Sequence, residues 1–226
     1  MPRITSHFET REDAPMRHLV LGHSQVRYVW EHYPNDGDNS VCIDWISVSG
    51  GHTHELAQMI KDEINASSIP LYISGLIWQN DVATLNIDSA CAVIQDLEQF
   101  MINRPDCKLA LPEVMYVPAL YPYWEFLSEL NTQLRNYNAR QGYSRYPLSK
   151  VATRDCPGGE MKIRQNCWEE FNQGTGYGYH LTYDGKRILA KFIRRFHFAG
   201  FTGIHVGQNQ LHTNSVRQPV NYPRWP

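Results

Sequence analysis

Four short stretches carry residue types that chemistry uses, and each directly follows or interrupts an apolar run. They are Gly22-His23-Ser24-Gln25, Ser49-Gly50-Gly51-His52-Thr53, Trp78-Gln79-Asn80-Asp81 and Tyr179-His180-Leu181-Thr182. A serine at a strand-to-helix turn presents its hydroxyl at the sheet edge, beside the free N–H groups of the helix start. A glycine allows close backbone approach, so its N–H can face an anion. An asparagine amide is a neutral donor, and a histidine is a base near neutral pH. One nucleophile, two oxyanion donors and one base are the parts of acyl transfer. Each piece alone is ordinary: a serine before a helix is usually an N-cap, and a Gly-Gly pair is usually a turn. The order of the pieces, at the ends of successive strands, gives them joint weight.

The elements that must position these residues follow from periodicity. Apolar runs at His18–Gly22, Val41–Val48, Ile69–Trp78 and Lys108–Val117 predict strands, with a weak one at Tyr146–Val151. Helical spacing predicts helices over Gln25–Tyr33, Thr53–Ala66, Ile87–Ile102, Tyr123–Arg140 and Asp184–Phe196. Residues 153–178 have the Gly-rich, polar composition of a long loop. Strands alternating with helices imply a parallel sheet covered on both faces, and nearly continuous apolar strands fit burial on both sides. In such folds chemistry gathers at the carboxyl ends of the strands. The expected organisation is an arm at 1–16, one α/β domain at 17–198 and an irregular tail at 199–226.

Composition narrows the function classes. The 226 residues include 21 Lys+Arg and 23 Asp+Glu, a net charge of −2. Gly185–Pro226 holds seven basic residues and no acidic one, whereas the other 184 residues hold 14 basic and 23 acidic. Five of the seven lie in the last predicted helix, so the asymmetry is mainly a basic helix face, fitter for docking a partner than for a nucleic-acid arm. No apolar run reaches the roughly 18 residues of a membrane span, and no signal peptide is visible. Five scattered cysteines without a C-x-x-C pair favour reduced thiols and an intracellular setting.

Over roughly residues 17–196 the chain resembles the SGNH (GDSL-type) hydrolases, a superfamily of esterases, lipases and carbohydrate deacetylases. Leu19-Val20-Leu21-Gly22-His23-Ser24 resembles its first block, normally G-D-S, and implies Ser24 as nucleophile. Val48-Ser49-Gly50-Gly51-His52-Thr53 resembles the second block and implies the Gly51 N–H as an oxyanion donor. Ile77-Trp78-Gln79-Asn80-Asp81 resembles the third, normally G-x-N-D, and implies Asn80 as another. Gly178-Tyr179-His180-Leu181-Thr182-Tyr183-Asp184-Gly185 resembles the fifth, normally D-x-x-H-L, and implies His180 as base. The resemblance implies a three-layer α/β/α sandwich with a parallel five-stranded sheet, and an oxyanion hole of Ser24, Gly51 and Asn80. It implies no cofactor, no metal and a small-molecule ester substrate.

The departures define the alternatives. His23 replaces the first-block Asp, and Trp78 replaces the third-block Gly and is expected to restrict the pocket. Tyr177 stands where the fifth block has its acid. Without that acid the centre is a Ser–His dyad, with Glu169 or Glu170 as substitutes if the loop folds back. The class-level alternative is a pseudoenzyme of this fold, a binding or scaffold module, with the related modules of mobile-element proteins as one setting. A third alternative is a metal site gathering His52, His54, His23 and His180, against the plainer view of them as polar loop histidines.

Overall fold

The protein is described by a computed structural model over residues 3–11, 13–32, 42–151, 153–155, 161–163, 165–169 and 180–202. The strands are β1 (Arg3–His7), β2 (Arg17–His23), β3 (Ile43–Ser49), β4 (Leu71–Leu76), β5 (Lys108–Ala110), β6 (Thr153–Asp155) and β7 (Met161–Ile163). The helices are α1 (Thr53–Ala66), α2 (Ile87–Met101), α3 (Trp124–Arg140) and α4 (Tyr183–Ala199).

Five strands form one sheet in the order β1-β3-β2-β4-β5. The last four run parallel, and β1 pairs antiparallel with β3. Central β2 is buried along nearly its whole length, which is why it reads as an uninterrupted apolar run. On one face lies α1, whose Leu56, Ile60 and Ile64 are fully buried at a spacing of four. Lys61 of α1 bonds Asp96 of α2, and Arg140 of α3 bonds Glu98 of α2, so these helices continue the layer. On the other face α4 lies across the sheet. There the α4 residue His197 hydrogen-bonds His18 of β2 (Nδ1···Nδ1, 3.1 Å) and Ser74 of β4 (2.8 Å). One histidine must donate to the other, and burial depresses both pKa values, His18 to about 4 and His197 further, so both rings are neutral at pH 7. The architecture is a three-layer α/β/α sandwich with the Ser24 and His180 segments at one end of the sheet.

Several elements differ from expectation. Arg3–His7, expected as part of a loose arm, forms β1; its side chains are mostly exposed, so no apolar pattern marks it. The helix expected over Gln25–Tyr33 is two 3-10 turns, Ser24–Val26 and Val29–His32. They are separated at Tyr28, whose φ of +60° cannot continue a helix. The segment near Tyr146–Val151 contains a 3-10 turn at Leu148–Lys150 rather than a strand. The loop expected at 153–178 contains the β6–β7 hairpin. Tyr177, Glu170, Cys156 and the tail from residue 203 onward lie outside the described residues.

Candidate active site

The end of β2 delivers Ser24 as the first residue of a 3-10 turn. The preceding His23 is buried, and its Nδ1 accepts the Gln25 N–H at 3.3 Å. Burial pushes the His23 pKa down to about 3, and the charge of nearby His180 adds to the depression. His23 is therefore a neutral wedge where the related motif carries an aspartate, and it stiffens the turn that presents Ser24.

His180 arrives from the far end of the sequence and is fastened by backbone. Trp168 and Leu181 form an antiparallel bridge. Around it, the Glu169 N–H donates to the His180 carbonyl (2.9 Å) and the Thr182 N–H to the Cys167 carbonyl (3.0 Å). Thr182 then caps α4, its hydroxyl accepting from the Gly185 N–H (3.3 Å) and donating to the Asn166 carbonyl (2.6 Å). One side chain joins this segment directly to the serine turn: the Gln25 amide oxygen accepts the Leu181 N–H at 3.1 Å, with both residues buried.

Ser24 and His180 consequently line one cleft of about 470 Å³, together with Gln25, Arg27, Tyr28, Ser49, Gly50, Glu169 and Lys186. A larger depression of about 680 Å³, between the ends of α2 and α3, contains none of the candidate residues. Glu169 is the one carboxylate among the described residues on the wall of the Ser24 cleft. It was one of two acids considered in sequence, and its neighbour Trp168 anchors it there.

The remaining expected donors are placed differently. The Gly51 N–H closes a turn onto the Val48 carbonyl at 3.2 Å. Gly50 sits third in that turn at φ +74°, the position that demands a positive φ in a type II turn. Gly50, rather than Gly51, reaches the cleft wall. One Asn80 amide hydrogen goes to the Gly51 carbonyl (2.8 Å), tying the end of β4 to the turn after β3. Trp78, expected to narrow the pocket, is 2% exposed in the core and does not line the cleft.

The four histidines weighed as ligands do not come together as a metal-binding group among the described residues. His52 Nδ1 pairs with Asp81 Oδ1 at 2.5 Å, and Asp81 Oδ2 accepts the Thr53 N–H at the start of α1 (2.5 Å). The hydrogen bond to Asp81 raises the His52 pKa. Burial works against the Asp81 carboxylate, but the hydrogen bonds from His52 and Thr53 outweigh it and hold its pKa below the usual range. Among the described residues no group of three His, Cys, Asp or Glu is arranged to hold a metal ion. Sequence reasoning missed the Gln25 link, the Arg27–Tyr28 wall and Lys186. Only the position of Gln25 beside Ser24 hinted at the first.

No family model and no curated protein matches the sequence. Solved structures do match the fold. A GDSL-like lipase from Bacteroides thetaiotaomicron superposes with a TM-score of 0.58 at 15% identity, over 79% of this chain and 86% of that one. A carbohydrate esterase of family 3 from Talaromyces cellulolyticus gives 0.56 at 15%, over 84% and 100%. The C-terminal domain of the Drosophila Oskar protein gives 0.52 at 10%, over 78% and 85%. These likenesses, together with the strand order and the layers, show that the chain has the three-layer fold of the SGNH (GDSL-type) hydrolases.

Proposed function

We propose that this chain is a serine hydrolase that removes an acyl group from an ester through Ser24 and His180. The observation that carries the proposal is their shared cleft, with the Gln25–Leu181 hydrogen bond linking the two segments. Ser24 Oγ attacks the carbonyl carbon as His180 takes the hydroxyl proton, giving a tetrahedral oxyanion. His180 returns that proton to the leaving alcohol as the C–O bond breaks, leaving an acyl-serine. Water then attacks the acyl-serine with His180 again as base, releasing the acid and restoring Ser24. In this reading the Ser24 backbone N–H and the second amide hydrogen of Asn80 serve the oxyanion, whereas the Gly51 N–H is already bonded to the Val48 carbonyl. In this reading Glu169, on the same cleft wall, takes the orienting role that the absent fifth-block acid leaves open.

A second interpretation, a non-catalytic module of the same fold, is favoured by one set of contacts. The Gly51 N–H and an Asn80 amide hydrogen are both engaged within the protein. A fluorophosphonate probe discriminates between the two. Labelling that disappears in Ser24→Ala supports the hydrolase, and no labelling of a folded chain supports the module.

A further inference from the structure

We propose that this cleft takes esters that carry an anionic group, a carboxylate, phosphate or sulfate, held by Arg27, Tyr28 and Lys186. The proposal rests on the hydrolase interpretation of the same cleft and adds its substrate class. Beside Ser24 and His180 the wall presents two basic side chains, Arg27 and Lys186, against one carboxylate among the described residues, Glu169.

Arg27 differs from the other described arginines that make ion pairs. Arg17 bonds Asp44 and Glu63, Arg104 bonds Asp106, Arg140 bonds Glu98 and Arg145 bonds Glu113. Arg27 has no carboxylate within 4 Å among the described residues. Its Nη2 donates to the Tyr28 hydroxyl at 2.7 Å, and its guanidinium lies 4.6 Å from the centre of that ring. Its Nε is buried and makes no hydrogen bond. The buried Nε cannot reach a ligand in the cleft, so an oxyanion would meet the terminal Nη edge, which the Tyr28 hydrogen bond holds in place. The Tyr28 hydroxyl accepts from Arg27 and keeps its own proton to donate.

The local backbone is strained around this arrangement. Tyr28 is the one described non-glycine residue with a positive φ, at +60°. Such strain persists where surroundings fix it, commonly at ligand sites. Lys186 sits one turn into α4, where its N–H bonds the Thr182 carbonyl. The helix dipole disfavours a cation there. The nearby Asp184 pairs with Arg187 instead. An anion in the cleft would complete both cations at once, and it gives the first charge of the basic helix a specific role.

The test uses the full chain and two esters sharing one reacting bond, 4-acetoxybenzoate and its neutral methyl ester, each rate divided by its alkaline hydrolysis rate in solution. The expected result is a preference of about tenfold or more for the anionic ester, the scale of one charge-assisted hydrogen bond. The preference should vanish in Lys186→Gln and Arg27→Gln and survive in part in Arg27→Lys, with urea midpoints showing that each variant folds. In parallel, inorganic phosphate, sulfate and acetate are titrated into Ser24→Ala and followed by NMR, which separates the anion classes. Turnover of both esters at equal corrected rates, with no anion bound, overturns the anion site and leaves the hydrolase intact. Anion binding lost in Ser24→Ala/Lys186→Gln, with neither ester cleaved and no fluorophosphonate adduct at Ser24, supports the site and refutes the hydrolase. Neither turnover nor binding overturns both.

Discussion

Replacing Gln25 by methionine removes a side-chain hydrogen bond that joins the serine turn to the histidine segment. Methionine keeps the length and nearly the volume, so packing costs stay small, but it removes the amide oxygen that accepts the Leu181 N–H at 3.1 Å. Gln25 is 1% exposed and Leu181 is fully buried, so water cannot take over as acceptor. A buried donor left without a partner costs about 1–3 kcal/mol. With a urea m-value of about 3 kcal/mol/M, the midpoint should fall by roughly 0.3–1 M at constant m. The same change frees the backbone next to His180, so fluorophosphonate labelling of Ser24 should slow by more than the small change in folded fraction explains. An unchanged midpoint together with an unchanged labelling rate would refute the view that Gln25 couples the two segments.

Other outcomes follow from the packing. His18 is pushed to about 4 and His197 lower still, whereas both titrate near 6.5 when unfolded. The unfolded chain therefore binds protons first, and stability present above about pH 6.5 is lost as pH falls toward 4, by roughly 2–3 kcal/mol from His18 alone; urea midpoints at pH 7.5 and 4.5 measure it, and equal midpoints contradict it. In Gly185→Ala the new Cβ would sit 2.4 Å from the Cys167 carbonyl oxygen. That overpacking should cost about 1–3 kcal/mol, loosen the 165–169 segment and expose it to protease sooner than in the native chain. Glu169→Gln should slow ester turnover by up to about 10⁴ at unchanged stability if its carboxylate orients His180, by analogy with the triad acid of serine proteases; an unchanged rate assigns that orientation to other groups.

The parts legible in sequence are those written by burial. Leu56, Ile60 and Ile64 announce α1, and the apolar run through β2 announces a central strand, because each side chain there faces the core. The candidates Ser24 and His180 stood out in the sequence because they flank such elements, after β2 and before α4. What stayed hidden depends on backbone shape or long-range pairing. Val26, Val29, Trp30 and Tyr33 mimic a helical stripe, yet the positive φ at Tyr28 breaks the run into 3-10 turns. β1 is an exposed edge strand specified by its register on β3 rather than by its own pattern. The choice between Gly50 and Gly51 turns on which of them takes φ +74°, and two adjacent glycines carry no sign of that. Gln25 and Leu181 are 156 residues apart, and nothing local marks the contact. Asn80 and Asp81 were legible as polar residues, but their partners, the Gly51 carbonyl and the His52 ring, come from another strand end.

The central claim is that Ser24 is a working nucleophile served by His180. Its most direct test is intact-mass analysis of the full chain after exposure to a fluorophosphonate at neutral pH. The account predicts a single adduct, mapped to Ser24 by peptide sequencing, absent in Ser24→Ala and slowed by orders of magnitude in His180→Ala. A folded chain that takes up no adduct, or one modified elsewhere at the same rate in all three proteins, would contradict it.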